Sequence, residues 1–545
     1  MKLKKDISFK KERGGYYTPD KLANFITSLL YSENLEILEP SCGDGVFLNS
    51  ILEISKNRKY KKIDAVEIVK EEYDKCIKLV GNNKNINLYN DDFYYFYQKT
   101  KEKYDLILGN PPYIRYQYLT EKQRKKQSMV LLDNKMIPNK LINSWVFFLV
   151  ACVDLLKDNG KIGFVIPAEL LQVVYAEDLR AYLSRELSKI TIISFDDLVF
   201  DDAEQEVVVF IGEKNIEENE CSIANCSFKD LENLVSDFSL KNLNYSHLTN
   251  ERNKWTKYYL SEYQNMLIDS FKNNDKFQKF EDVALINVGI TTGNNDYFSV
   301  NKEIVDEYDL KDVTIPLIGR SSQAHGLFFD KDDWQFNVDK GVKAYLINFD
   351  EKDDFNKLSK KQQKYIKYGE KNGANKGYKC KIRNKWYCIP SIWVPDAFFL
   401  RRSNNYPKFV MNKINAVSTD TMHRINFYEG VDKNKILLSY YNSITFAFVE
   451  LNGRSYGGGV LEVLPKEVSN IFLPKIDNIT DEKTTALLKI VDEKIRNKND
   501  IEELLDIIDK EILINYLKIP KETVLEFRKI WKFMVQRRHN RGRRD

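Results

Sequence analysis

The chain has 545 residues, 43% hydrophobic and 13% aromatic, with a net charge of +4. That excludes a disordered chain and leaves room for two or more domains, while a +4 charge neither requires nor excludes a nucleic-acid partner, since clustering decides binding. No run of about 18 apolar residues occurs and no apolar core follows the basic N-terminus, so a soluble, cytoplasmic protein without a membrane partner is expected; seven cysteines without a CxxC pair and only four histidines argue for a reducing compartment and against a metal site.

In chain order, short apolar β-rich runs fall at 35–38, 63–68, 86–90, 105–108, 161–166, 190–195 and 206–211. Helical patterns such as 143–157 lie between most of them. The alternation predicts an α/β fold built on a parallel sheet. The last two runs are separated by a short turn-like stretch and are expected to pair as an antiparallel edge hairpin. The polar segment 114–142 reads as an insertion over the sheet. Residues 216–265 are Asn/Glu/Lys-rich with weak periodicity and read as a linker. From 266 onward short strands, glycine turns and aromatics predict a mixed α+β domain, ending in two charged helices over 481–515. The tail 516–545 is basic: 528–545 hold eight Lys/Arg and His539 against one acid. It reads either as a frayed end or as an arm reaching phosphates.

The first run leads into Glu39-Pro40-Ser41-Cys42-Gly43-Asp44-Gly45, a strand, a glycine turn and a helix start. Glycine suits a turn where backbone must pass close to a ligand, and open α/β sheets bind ligands at the carboxyl ends of their strands. The turn is not GxGxxG and has no Walker lysine, which disfavours dinucleotides and nucleoside triphosphates. Glu67 at the second strand end is placed to accept from ribose hydroxyls. At the third, Asp91 or Asp92 can accept from an adenine amine, with Phe93 beside the ring.

The fourth run ends in Asn110-Pro111-Pro112-Tyr113. Two prolines fix the turn and remove two backbone donors, so carbonyl oxygens project. An exocyclic amine delocalised into a ring is a poor nucleophile. Two acceptors, the Asn110 side-chain oxygen and the Pro111 carbonyl, would localise its lone pair and stabilise positive charge developing during methyl transfer. Tyr113 offers a face for the target base to stack on.

These motifs, in this order, resemble the gamma-class N6-adenine-specific DNA methyltransferases of restriction–modification systems, the TaqI-like group. Gly15-Tyr16-Tyr17-Thr18-Pro19 is similar to the class's N-terminal motif, with Thr18 a natural N-cap and Pro19 at the first helical position. The resemblance implies a Rossmann-like class I S-adenosylmethionine-dependent fold over 1–215 and a target-recognition domain over 266–515. It implies that Tyr17, Thr18, Glu39, Ser41, Gly43 and Gly45 surround the methionine moiety. Glu67 would hold the ribose, and Asp92 with Phe93 the adenine. Asn110, Pro111, Pro112 and Tyr113 would be catalytic, with Phe200 against a flipped-out base. Glu39 and Asp44 depart from the commoner Asp-Pro-Ala-Cys-Gly-Ser-Gly turn. The expected partner is double-stranded DNA, with a separately encoded endonuclease as a further one, and the expected state is a monomer.

Arg383, Arg424 and Arg454 lie in stretches that mix cations, small polar residues and aromatics, as phosphate and base contacts require. The same Asn-Pro-Pro-Tyr chemistry serves enzymes that methylate protein glutamine or RNA adenine. The length beyond the sheet favours DNA, and with only about a dozen residues before the first motif a fused nuclease is not expected.

Overall fold

The computed structural model describes residues 17–56, 59–139, 142–197, 199, 206–215, 217–218, 220–248, 252–456, 458–498 and 500–540. It divides into two compact units, the first essentially 1–265 and the second 266–455 with 459–539.

The first unit is built on a nine-stranded sheet of order β3-β2-β1-β4-β5-β7-β6-β8-β9. Its strands are β1 (Glu36–Glu39), β2 (Lys62–Val66), β3 (Ile86–Tyr89), β4 (Tyr104–Gly109), β5 (Leu156–Pro167), β6 (Lys189–Phe195), β7 (Val207–Glu213), β8 (Ser222–Phe228) and β9 (Ser246–His247). β1 to β5 are mutually parallel. Their residues read as apolar runs because helices cover both faces of such a sheet. Ile37, Leu38, Ile63, Leu106 and Ile107 are fully buried.

The crossovers are helices α1 (Asp20–Leu30), α2 (Val46–Ser55), α3 (Lys70–Val80), α4 (Phe93–Lys99), α5 (Glu121–Asp133) and α6 (Ser144–Asp154). Nine of the eleven residues of α6 are buried, as its near-continuous apolar sequence demands. Strand order reverses between β1 and β4, and that switch point is where open α/β sheets form their ligand crevice.

Two expectations are corrected here. The hairpin forms, with β6 and β7 antiparallel, but it lies inside the sheet. β8 pairs in parallel along the whole of β6, from Lys189–Ser222 to Phe195–Phe228, and β9 adds beyond it. The stretch 216–265 is therefore part of the first unit and not a linker. Its periodicity is weak because β8 buries little more than Ile223 and Ala224.

The second unit carries a five-stranded sheet in the order Ala284–Val288, Met422–Phe427, Ala397–Leu400, Phe409–Asn412 and Phe328–Phe329. A four-stranded sheet joins Ser299–Val300, Tyr345–Ile347, Thr314–Ile318 and Val417–Ser418. Helices Asp481–Arg496 and Ile501–Ile508 pack together, as the sequence predicts. The second is continued by a π-helical stretch, Asp509–Tyr516.

The basic tail is the third correction. Lys521–Asn540 is a helix that buries three of its arginines, Arg528, Arg537 and Arg538. Arg528 meets Asp509 at 2.7 Å, and also Asp506. Arg538 meets Glu450 at 2.7 Å with both side chains 3% exposed. A carboxylate beside a buried guanidinium offsets the cost of removing its charge from water, and here acids distant in sequence supply it. Residues 541–545 fall outside the described set.

Candidate active site

The ends of β1, β2, β3 and β4 converge on one cavity of about 820 Å³. Tyr17, Thr18, Glu39, Ser41, Gly43, Glu67, Asp92, Phe93, Asn110 and Pro112 all line it. The volume falls within the range of cofactor sites, about 300–1,000 Å³.

The glycine turn takes its shape from two left-handed residues, Gly43 (φ 52°) and Gly45 (φ 90°). A Cβ on Gly45 would also lie 2.9 Å from Leu79 Cδ2, so that residue shapes the turn without lining the cavity. Glu67 ties the turn to β2: its two oxygens accept from Gly43 N at 2.9 Å and Val69 N at 2.8 Å. Burial raises the pKa of Glu67. Glu39 is 1% exposed, and its carboxyl is pushed well above the usual range, by burial first and then by Cys76, Glu67 and Asp44.

At the next strand end Asp92 does two jobs. Oδ1 caps α4 by accepting from Tyr94 N at 3.0 Å, and Oδ2 accepts from Lys126 Nζ at 3.2 Å. Asp91 instead accepts from the Asp92 backbone N–H and does not cap the helix. Phe93 stacks on Phe148, ring centres 5.0 Å apart and planes 17° apart.

After β4, Asn110 reaches the cavity wall, and its main-chain oxygen accepts from Ser41 Oγ at 3.5 Å. Ser144, at the start of α6, pins the Pro-Pro turn: its hydroxyl donates to Pro112 O and accepts from Ile114 N. Tyr113 is 6% exposed, its hydroxyl donates to Val165 O at 2.9 Å, and neither it nor Pro111 lines the cavity. Its ring therefore braces the turn against β5.

Thr18 is not the N-cap expected of it. Helix α1 starts at Asp20 with Pro19 in the cap position and no side-chain cap bond, because Pro19 adopts extended ψ. Tyr17 donates its hydroxyl to Glu72 Oε1 at 3.0 Å, and burial with that carboxylate pushes its pKa up to about 12. Gly15, Tyr16 and Phe200 lie outside the described residues.

Sequence reasoning missed part of the wall. The polar insertion contributes Leu119, Gln123, Lys126 and Gln127, and α6 adds Phe147 and Phe148. The adjacent Phe147-Phe148 pair is the one signal in the sequence that could have flagged α6.

Of the three arginines in the second unit, Arg454 ends in an ion pair with Glu467 at 2.7 Å, 12% exposed, so its charge is met internally. Arg383 donates to Thr291 O at 3.2 Å. Arg424 donates to Val288 O at 2.9 Å and lies 4.0 Å over the Trp393 ring. Both hang on one segment, 288–291. Gly289 lets that segment cross close to its neighbour, for a Cβ there would fall 1.9 Å from Thr419 O.

The donor set fits S-adenosylmethionine. Thr18 Oγ1 and Glu39 Oε2 are buried in the cavity wall with no hydrogen-bond partner among the described residues, and a buried polar atom without a partner is costly unless a ligand meets it. The three acids Glu39, Glu67 and Asp44 suit a cationic ligand, and the Phe93–Phe148 wall suits a flat ring. Among the described residues no group of acids, histidines and cysteines could hold a metal ion, and no helix is long and apolar enough to cross a membrane.

Comparison with known proteins adds the family. Residues 21–200 match the family model of the Eco57I restriction-modification methylase. Residues 252–513 match that of the Type II methyltransferase M.Eco57I C-terminal domain. The Type II methyltransferase M.AccI of Acinetobacter calcoaceticus is 27% identical over 542 residues, 94% of this chain and 95% of its own. M.HincII of Haemophilus influenzae is 33% identical over 220 residues, 39% of this chain and 40% of its own. The fold is shared with the Type IIL restriction-modification enzyme MmeI, solved in complex with DNA, at a TM-score of 0.56 and 12% identity, over 95% of this chain and 75% of that one. The two family models take in both structural units, and the chain belongs to the Eco57I-type restriction-modification methylases, DNA methyltransferases that use S-adenosylmethionine.

Proposed function

We propose that the chain transfers the methyl group of S-adenosylmethionine to the exocyclic N6 amine of an adenine in double-stranded DNA, as the modification enzyme of a restriction–modification system. The observation that carries this reading is Asn110, held on the wall of the cofactor cavity at the end of β4 by a turn pinned to α6.

When bound, the cofactor supplies an already activated methyl group on a sulfonium. The chain's own residues do the rest. Asn110 Oδ1 and the Pro111 carbonyl accept from the target NH₂, localise its lone pair and stabilise the charge that develops on nitrogen. The rigid turn keeps both acceptors aimed, so alignment costs nothing at the moment of reaction. Asn110 suits an amine because its carbonyl oxygen accepts without itself becoming a base.

A stacked adenine is out of reach, so the target nucleotide is extruded at a cost of a few kcal/mol, and Phe200 is the candidate to meet the extruded base. The second unit supports duplex DNA as substrate, with Arg383 and Arg424 as candidate contacts. Action as a cytoplasmic monomer, with a separately encoded endonuclease sharing the recognition sequence, belongs to the same reading.

The test is to incubate the protein with unmethylated DNA and labelled cofactor, digest, and identify the modified nucleoside by mass spectrometry. N6-methyladenine is expected. A methylated cytosine overturns the base assignment. Label in protein or RNA but not in DNA overturns the substrate.

A further inference from the structure

Residues 357–385 of the second unit hold ten lysines and Arg383 against a single acid, Glu370. Nine of those lysines, Lys357 to Lys381, are exposed. A charge run is most often a solvated face, so the comparison that matters is with other charged helices of the same unit. In helix Asp481–Arg496 every cation meets a carboxylate: Lys483 with Glu511, Lys489 with Glu493, Lys494 with Glu503 and Arg496 with Asp492. In helix Lys521–Asn540, Arg528 and Arg538 turn inward onto carboxylates.

Helix Lys360–Lys371 does neither. Gln362, Tyr365, Ile366 and Gly369 are buried, and Gly369 sits so tightly that a Cβ would meet Tyr297 at 2.3 Å and Trp386 at 2.5 Å. The opposite stripe is Lys360, Lys364, Lys367 and Lys371, three and four residues apart and so on one face. Among the described residues none of them is within ion-pair distance of a carboxylate. The lone acid, Glu370, accepts instead from Trp386 Nε1 at 3.1 Å.

Like charges at such spacings destabilise a helix, and a merely solvated face would interleave glutamates, as Asp481–Arg496 does. The stripe continues into Lys376, Lys379 and Lys381, with the exposed rings of Tyr368 and Tyr378 between. At Gly293 this turn closes on the loop whose Thr291 carbonyl holds Arg383.

We infer that the lysine face of Lys360–Lys371 and the turn after it is the surface on which the second unit takes the phosphate backbone of duplex DNA, beside the anchored Arg383. The inference rests on the DNA reading above. The eleven rises from Lys360 to Lys371, at about 1.5 Å each, span about 16 Å, against one phosphate per strand for every 3.4 Å or so of duplex axis. Four or five phosphates therefore match the stripe. Phosphate contacts set affinity and register without reading sequence, and lysine, a flexible point charge, suits that task.

The experiment titrates labelled duplexes, with and without the modification site, and a labelled single-stranded RNA, by fluorescence anisotropy across salt concentrations. The proteins are the wild type, K360Q/K364Q/K367Q/K371Q and the charge-keeping K360R/K364R/K367R/K371R. Each phosphate left without its cation lowers the log–log salt slope by about 0.9. The glutamine variant is expected to lose roughly 2–4 from the slope, equally on both duplexes, with S-adenosylmethionine affinity and melting temperature kept. The arginine variant should restore the slope. An unchanged slope in the glutamine variant overturns the surface while leaving DNA as substrate. A variant that keeps duplex DNA but loses single-stranded RNA overturns it in favour of RNA. A wild type that binds no duplex at low salt overturns both readings.

Discussion

Lys126 Nζ donates to Asp92 Oδ2 at 3.2 Å on the wall of the cavity at the strand ends. The lysine comes from the insertion helix α5 and is 12% exposed on its side chain, against 28% for the aspartate. Its ammonium also lies 3.4 Å over the Tyr95 ring. Asp92 is therefore fixed at both oxygens, one by the start of α4 and one by Lys126, and its remaining lone pairs have a set direction.

Replacing Lys126 by methionine should keep the packing and release that direction. A hydrogen bond to a charged group contributes about 1.5–3 kcal/mol when well shielded, and partial exposure reduces it. We expect roughly five- to tenfold weaker binding of S-adenosylhomocysteine by calorimetry. The inosyl analogue, which lacks the amine, should be affected less. Equal losses for the two ligands would mean that α5 merely holds the wall together.

Asn110→Ala should lower the single-turnover methylation rate by about 10²–10³, the usual loss for one preorganised polar group at a reacting atom. Cofactor affinity should stay within twofold. A parallel collapse of cofactor binding would place Asn110 in the cofactor site and not in the chemistry.

The raised pKa of Glu39 gives a pH dependence with a definite sign. A carboxyl raised on folding contributes stability below its unfolded value and loses that contribution as pH rises through the folded one. The ligand-free protein should therefore melt lower as pH rises above about 4.5, the ordinary glutamate value, and Glu39→Gln should flatten that fall. A cationic ligand favours the ionised form, so binding should release protons. Calorimetry in two buffers of different ionisation enthalpy checks this, and no difference between the buffers would remove Glu39 from the cationic end of the ligand.

Arg538 is buried against Glu450 and also donates to the carbonyls of Asn405 and Gly459. Arg538→Ala leaves Glu450 buried without its partner, a loss of about 3–5 kcal/mol. Denaturant unfolding should show it, while the salt slope of DNA binding should not move. The reverse pattern would restore the tail as a phosphate-contacting arm.

The order Thr18, Glu39 to Asp44, Glu67, Asp92, Asn110 is enough to assemble one wall of the cavity from the sequence. In a parallel sheet, successive strands deliver their carboxyl ends to the same edge, so local position along the chain converts directly into position in the site. The glycine turn is similarly local, since the left-handed φ of Gly43 and Gly45 is a property of those residues themselves.

What failed was everything set by distant partners. Strand β8 pairs with β6 across a sequence of mixed polarity, and one buried edge is too faint a pattern to read. The tail arginines looked like free charge because Glu450 and Asp509 are distant in sequence.

The sequence by itself determined the parallel sheet, the cavity-facing strand ends and the Asn-Pro-Pro-Tyr turn, because backbone geometry and side-chain chemistry act within a few residues. Only the tertiary structure decided which charges are spent inside and which remain outside. Lys126 is held by Asp92 and Arg538 by Glu450, while Lys360, Lys364, Lys367 and Lys371 meet no carboxylate among the described residues. The reason is electrostatic: a charge's role depends on what lies within a few ångströms, and the fold, not the spacing of residues along the chain, sets that distance.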